Sequence, residues 1–313
     1  MTKSGNGGNL IADQRYFGSQ TELHEGAARP MIGREIKMEK QSERTDVIDG
    51  FGDEWSRFDQ SGLTDRESLA AFQGYFEVFP WDELPQGACG FDLGCGSGRW
   101  AKHVAPRVGA LHCVEPSDAI EVARRNLAEQ NNVMFHRRTA AQLHFKAESM
   151  DFGYCLGVLH HVVDTEGALR AAVRALKPDA PFLLYLYYAL DNRPAWFRML
   201  WRASDLARRV ISTQPNALRH RICDGLAAGV YYPFARGAAL GERLGINVEH
   251  WPLAAYRHRS FYMMRTDSLD RFGTALEKRY TREEMETLMR SAGLTDIQFC
   301  SSVFWCAVGR RAR

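Results

Sequence analysis

The residues able to do chemistry sit in a few short stretches. Phe91 to Trp100 reads FDLGCGSGRW, in which Asp92 is followed by Gly94, Gly96 and Gly98. Glycine lets a backbone turn through left-handed conformations and approach a ligand closely, and a helix that follows such a loop aims its free N–H groups at what is bound. The dinucleotide pattern G-x-G-x-x-G fits Gly94 and Gly96 but needs a third glycine where Arg99 stands, and a Walker loop needs a Gly-Lys-Ser/Thr ending that this stretch lacks. A nucleotide-like ligand held without a phosphate clamp is therefore the expectation for this loop, Cys95 included. Glu115, followed by Pro116, lies 21 residues after Gly94. An acid in that position can accept both hydroxyls of a ribose; the plainer alternative is a strand-end carboxylate facing solvent.

Two further groups could handle an acceptor molecule. His160 and His161, in GVLHHVVD, are the nearest candidate bases, and Tyr187 and Tyr188 supply hydroxyls and aromatic faces able to stabilise a cation. The histidines could equally be framework, one stacked and one hydrogen-bonded to the backbone. From Leu190 to Thr266 there are twelve arginines, no lysine and five acids. Arginine grips planar anions with two parallel hydrogen bonds, so Arg193, Arg257 and Arg259, with Tyr256 beside them, are expected to bind the acceptor. A solvated helical face is the bland alternative for any single arginine. Trp55, in FGDEWSRF, is expected on a lid over the bound ligand.

The elements that must position these residues alternate. ACGFDLG, ALHCVEP, NVMFHRR, MDFGYCLG and PFLLYLYY read as strands. Between them, GRWAKHVAPRV, SDAIEVARRNLAEQ (with Ser117 as N-cap) and TEGALRAAVRALKP read as helices. This alternation predicts a doubly wound, mostly parallel α/β sheet. Thr281 with Glu284 forms a capping box at the head of a late helix that ends at Gly293, and LTDIQFC and VFWCAVGRR then predict an antiparallel C-terminal hairpin. Between these parts the strand rhythm disappears. The expected organisation is a tail and helical lid over residues 1–86, a core over 87–189 plus 279–313, and a helical acceptor-binding insertion over 190–278.

Composition narrows the class. Lys and Arg number 40 against 38 Asp and Glu, so no strongly charged partner is implied. The seven cysteines are odd in number, with no C-x-x-C pair, which argues against a zinc cluster or a disulfide framework and for a reducing, cytoplasmic setting. The start MTKSGNGGNL carries no apolar leader. The longest apolar run, Ala180 to Leu190, is far short of the about 20 residues that cross a bilayer. Neither a metal, nor a membrane, nor nucleic acid is expected; a homodimer is one use for the apolar N-terminal helices.

Taken together these pieces resemble the class I methyltransferases that use S-adenosylmethionine (SAM). The family's first motif is similar to the D-x-G-x-G-x-G of Asp92, Gly94, Gly96 and Gly98, an acid matches at Glu115, and GVLHH resembles the post-strand motif of its small-molecule members. The resemblance covers about Ala88 to Tyr187. It implies a Rossmann-like fold and SAM as cofactor, with the loop against the methionine and ribose parts, Glu115 on the ribose, and the backbone of Gly157 and Val158 near the methionine amine. Thr139 stands where relatives carry an adenine-binding acid and His144 where they carry proline, so backbone amides such as that of Ala140, or a hydroxyl, are expected to substitute. The resemblance leads to methyl transfer onto a small, anionic or amino-acid-like molecule. S-methylation of a thioether such as methionine, and O- or N-methylation of a secondary metabolite or sugar, stay open. RNA methylation and a non-catalytic SAM-binding module are the competing classes.

Overall fold

A computed structural model describes residues 45–301 and 305–313. The expected tail, before residue 45, lies outside the described residues.

Seven strands form one sheet in the order β3-β2-β1-β4-β5-β7-β6. They are β1 (Cys89–Leu93), β2 (Ala110–Val114), β3 (Val133–His136), β4 (Phe152–Leu156), β5 (Pro181–Tyr185), β6 (Leu294–Phe299) and β7 (Cys306–Arg311). The first five pair in parallel, while β7 runs antiparallel to both β5 and β6. The fold is thus a mostly parallel, Rossmann-like α/β sheet closed by an antiparallel C-terminal hairpin. The central strands are apolar on both faces because both are covered. Phe91, Leu93, Phe182 and Leu184 pack into one core, and Leu111, Cys113, Tyr154 and Leu183 into the other. Strand order reverses beside β1, which pairs with β2 on one side and β4 on the other. In open α/β sheets the crevice outside the strand ends at that reversal is where ligands bind.

The helices follow the sequence with local exceptions. α1 spans 45–57 and α2 spans Asp65–Tyr75, capped by Thr64. The helix expected after the glycine loop is only one turn, α3 (Ala101–Val104), followed by a 3-10 turn over Ala105–Arg107. Pro106 brings a ring and no N–H donor, so the α pattern does not run on. α4 (Ala119–Asn126) begins with Asp118 rather than Ser117 at its N-cap. The Ser117 hydroxyl accepts from the Ala119 amide at 3.2 Å while donating to Glu115 at 2.6 Å, so one residue serves both the helix and the loop. α5 (Thr165–Ala175) covers one sheet face. α10 (Arg282–Ser291) carries the predicted Thr281–Glu284 capping box.

Between β5 and α10 the chain forms α6 (Ala195–Ile211), α7 (Asn216–Leu226), α8 (Tyr232–Arg243) and α9 (Phe261–Gly273). A π turn, Ala227–Tyr231, joins α7 to α8. These helices enclose a separate small core of Ile211, Cys223, Tyr231, Met264 and Leu269, completed by Phe58 from beyond α1. The chain leaves and re-enters the sheet region at one point. Tyr188 and Tyr280 form an isolated bridge, with Ala189 N–H donating to Tyr280 O and Tyr280 N–H to Tyr187 O, each at 2.8 Å. No described helix is long and apolar enough to cross a membrane.

Candidate active site

A cavity of about 1200 Å³ opens at the strand ends beside β1 and runs under the inserted helices. Small-molecule sites usually occupy about 300–1,000 Å³, so this one has room for two molecules side by side.

The floor is the glycine loop. Gly94, Gly96 and Gly98 have φ of 79°, 52° and 77°, the left-handed region that their lack of Cβ permits. A Cβ on Gly94 would lie 2.4 Å from Val158, and one on Gly96 would lie 3.0 Å from the Trp55 indole nitrogen. Trp55 on α1 therefore lies against the loop, and the Arg99 guanidinium, 4.0 Å from the Trp100 ring centre, sits at the same corner. Glu115 is buried at the end of β2. One carboxylate oxygen accepts from Gly96 N–H at 3.1 Å and the other from Ser117 N–H at 3.0 Å. Burial raises its carboxyl above the ordinary range, against the pull of these hydrogen bonds. The second oxygen also accepts from the Ser117 hydroxyl at 2.6 Å, so the oxygen facing Gly96 is the one that keeps a further lone pair for a ligand hydroxyl.

Of the expected cofactor residues, Gly94, Cys95, Gly96, Glu115, Pro116, Thr139, Gly157 and Val158 line the cavity. Asp92, Gly98 and Ala140 do not. Asp92 is buried beneath the loop beside Tyr154, where burial pushes its carboxyl up to about 8. Gly98 faces away, toward Leu127 on the far side of the loop. Thr139 caps a 3-10 turn, Ala140–Gln142, and its N–H is taken by the Gln142 side chain at 3.1 Å.

The two histidines have separate places. His160 is wholly buried, stacked on Tyr187 with ring centres 3.8 Å apart, and is not part of the cavity wall. Burial pushes its pKa well below the ordinary value. His161 does line the cavity. Its Nδ1 meets the Leu276 carbonyl at 2.6 Å. A carbonyl only accepts, so Nδ1 carries the proton and Nε2 is the bare acceptor. Burial lowers His161 to about 4, leaving it neutral near pH 7.

The arginines expected to hold an anion are mostly engaged. Arg257 pairs with Glu242 at 2.8 Å, and Arg193 donates to the Glu249 carbonyl at 3.1 Å. Both line the cavity, as do Tyr256 and Arg259; the Arg259 guanidinium has no partner among the described residues. Two arginines not singled out in the sequence, Arg271 and Arg279, also reach the wall and are tied to the buried Glu277 at 3.2 and 2.7 Å.

Sequence reasoning missed the carboxylates of this wall, Glu54, Asp267 and Asp270. Tyr187 donates to Asp270, and the Tyr231 and Tyr256 hydroxyls reach Asp267. Burial raises both aspartates from 3.8 to about 6. It raises Glu54 well above the ordinary value, with Asp270 and Asp267 adding repulsion. Leu190 and Leu253, which also line the cavity, hold φ of 61° and 60°. Such strain in a non-glycine residue costs on the order of 1–3 kcal/mol and clusters at ligand-binding sites.

Comparison with known proteins gives a family match over residues 91–184, to a methyltransferase domain. An uncharacterized methyltransferase of Bacillus subtilis, YcgJ, is 36% identical over 32% of this chain and 41% of its own length. A ubiquinone biosynthesis O-methyltransferase of Hahella chejuensis is 30% identical over 33% and 42%. The match thus spans about two fifths of these curated relatives. Among solved structures, phosphoethanolamine N-methyltransferase 2 of Haemonchus contortus aligns with a TM-score of 0.41 at 16% identity, over 75% of this chain and 38% of that one.

Proposed function

We propose that this chain, whose residues 91–184 match a methyltransferase domain, is a class I SAM-dependent methyltransferase that transfers the methyl group of SAM to a small acceptor bound beneath the inserted helices. One observation carries the reading: the left-handed glycine loop and the buried Glu115 open onto the same cavity as the insertion's polar side chains. A nucleoside and an acceptor can therefore meet in one space.

The residues present fit the cofactor. Gly94 and Gly96 offer bare backbone to a flat ligand, the Glu115 oxygen facing Gly96 keeps a lone pair for a ribose hydroxyl, and the Trp55 indole closes over the loop. SAM supplies a methyl group on a sulfonium, transferred by in-line displacement. The chain's main contribution is to hold nucleophile, carbon and sulfur in line and to exclude water. The His161 Nε2 and the tyrosines of the wall orient the acceptor. His161, held neutral and weakly basic by burial, is a hydrogen-bond acceptor rather than a strong base at neutral pH. Arg193, Arg257 and Arg259 are the groups that would receive an acidic end of an amino-acid-like acceptor. We further propose that residues 190–278 are the acceptor-binding unit and that α1 is a lid.

Calorimetric titration with SAM and with S-adenosylhomocysteine tests this reading directly. Both should bind at one site per chain, and Glu115→Ala should weaken both by about 10- to 100-fold, since it removes charge-assisted hydrogen bonds. Failure of the parent chain to bind either compound would end the proposal.

A further inference from the structure

The acceptor half of the cavity asks for hydrogen-bond donors. Glu54 is 3% exposed, lines the cavity, and its Oε1 has no hydrogen-bond partner among the described residues. His161, 4% exposed, presents its bare Nε2 without a partner to the same space. A buried acceptor left unpaired costs about 1–3 kcal/mol, and two on one wall are complementary to a ligand that brings several N–H bonds. Asp267 and Asp270 stand one turn apart on α9 and complete a carboxylate wall with Glu54; both aspartates repel Glu54, and Asp270 repels Asp267.

Few cations offset this wall. Arg271 and Arg279 are committed to Glu277, and Arg219 lies 3.4 Å from Asp53. Arg99 faces Glu54 and Asp270 from the glycine loop but lies over the Trp100 ring. Around the carboxylates the wall is aromatic, with Phe51, Tyr75, Tyr187, Tyr231 and Tyr256, and aromatic faces also favour a cation.

We propose that Glu54, Asp267 and Asp270, with His161, bind the ammonium group of the acceptor, which is a primary or secondary amine methylated on nitrogen. This rests on the methyltransferase reading above and revises its anionic acceptor: any acid group on the substrate lies at the outer arginines, away from the reacting nitrogen. The ammonium gives one proton to a carboxylate of the wall. The freed lone pair on nitrogen then forms the N–C bond while the carbon–sulfur bond breaks toward sulfur. The products are a methylammonium ion and neutral S-adenosylhomocysteine, so charge is conserved across the transfer.

The test compares head groups on one skeleton. The full chain, saturated with S-adenosylhomocysteine, is titrated calorimetrically with tyramine, tyrosol and 4-hydroxyphenylacetate, and then with ethanolamine, ethylene glycol and glycolate. In at least one series the amine should bind about tenfold or more tightly than its alcohol and acid counterparts, the scale of one hydrogen bond to a charged group. Asp267→Asn and Asp270→Asn should each remove most of that preference while S-adenosylhomocysteine affinity stays within about twofold, the retained affinity showing that the fold is intact. Incubation of the preferred amine with SAM should yield an N-methylated product by mass. Equal or tighter binding of the alcohols or acids in both series, or an amine preference untouched in both variants, overturns the proposal and leaves the methyltransferase reading standing. Failure to bind S-adenosylhomocysteine at all would instead remove the underlying reading.

Discussion

Asp267 projects from α9 into the cavity wall, and replacing it with asparagine should stabilise the protein in alkaline solution. Burial pushes its carboxyl from 3.8 up to about 6, with Asp270 adding to the shift while hydrogen bonds from Tyr256 and Tyr231 and the charge of Arg271 oppose it. Glu54 on α1 is a further negative neighbour. A carboxyl that holds its proton more tightly in the folded state contributes stability below its unfolded pKa of 3.8 and loses it as pH rises through about 6. The displacement is roughly 2 on the pH scale, at about 1.4 kcal/mol each, so ionised Asp267 costs the fold at most about 3 kcal/mol above pH 7. Water in the cavity screens part of this. Asparagine also offers one acceptor oxygen where the carboxylate offers two, a loss of about 1 kcal/mol. The net expectation for Asp267→Asn is a gain of about 1–2 kcal/mol at about pH 8, turning into a small loss by about pH 4. The buried histidines shift stability in the opposite sense with pH, but parent and variant share them, so they cancel in the difference. Urea unfolding of both proteins, followed by far-ultraviolet circular dichroism across that pH range, measures it. A variant less stable than the parent at the alkaline end, or a difference that does not change with pH, would refute the reasoning.

Other consequences are as direct. Gly94→Ala places a Cβ 2.4 Å from Val158 on a backbone with φ of 79°, so a loss of about 2–4 kcal/mol is expected in urea unfolding; a neutral result would mean the loop is not held as described. Glu277→Ala leaves Arg271 and Arg279 without their shared carboxylate and should cost about 3–5 kcal/mol in the same assay, whereas a loss below about 1 kcal/mol would show both arginines to be solvated. Since His161 is lowered from 6.5 to about 4, the pH profile of kcat/KM should carry no inflection near 6.5 from this residue. An inflection there that disappears in His161→Gln would contradict the burial argument.

The parts of this molecule legible in its sequence are those set by neighbours along the chain. β1, β4 and β5 are short apolar runs bounded by turn residues, the loop glycines all take the left-handed conformation that an isolated glycine permits, and Thr281 and Glu284 cap the helix they head. The arginines were harder to read, because what neutralises each is set by tertiary structure. Arg257 meets Glu242 across 15 residues and an intervening loop, and Arg271 and Arg279 converge on Glu277 from a helix and from the irregular segment that follows it. Counting charges between Leu190 and Thr266 overstated how much positive charge reaches a ligand. Asp267 follows soon after Tyr256, Arg257 and Arg259, which were singled out, yet it and its neighbour Asp270 look like any polar position on an amphipathic helix. The available signal was the pair of acids one helical turn apart beside a concentration of tyrosines. His160 and His161 are adjacent in sequence but differ in use, because the 3-10 turn Leu159–His161 sends one ring behind Tyr187 and the other to the cavity.

The bridge between Tyr188 and Tyr280 has a bearing on heredity. The four inserted helices begin and end at hydrogen bonds only two backbone positions apart, so the sheet meets them as a single closed loop. Closing a longer loop at a fixed neck costs only about 0.6 kcal/mol for each doubling of its length. Insertions, deletions or wholesale exchange between those tyrosines therefore fall lightly on the stability of the sheet while rewriting one wall of the cavity. A lineage built on this plan can reshape that cavity by trading one segment and keep the glycine loop and Glu115 untouched.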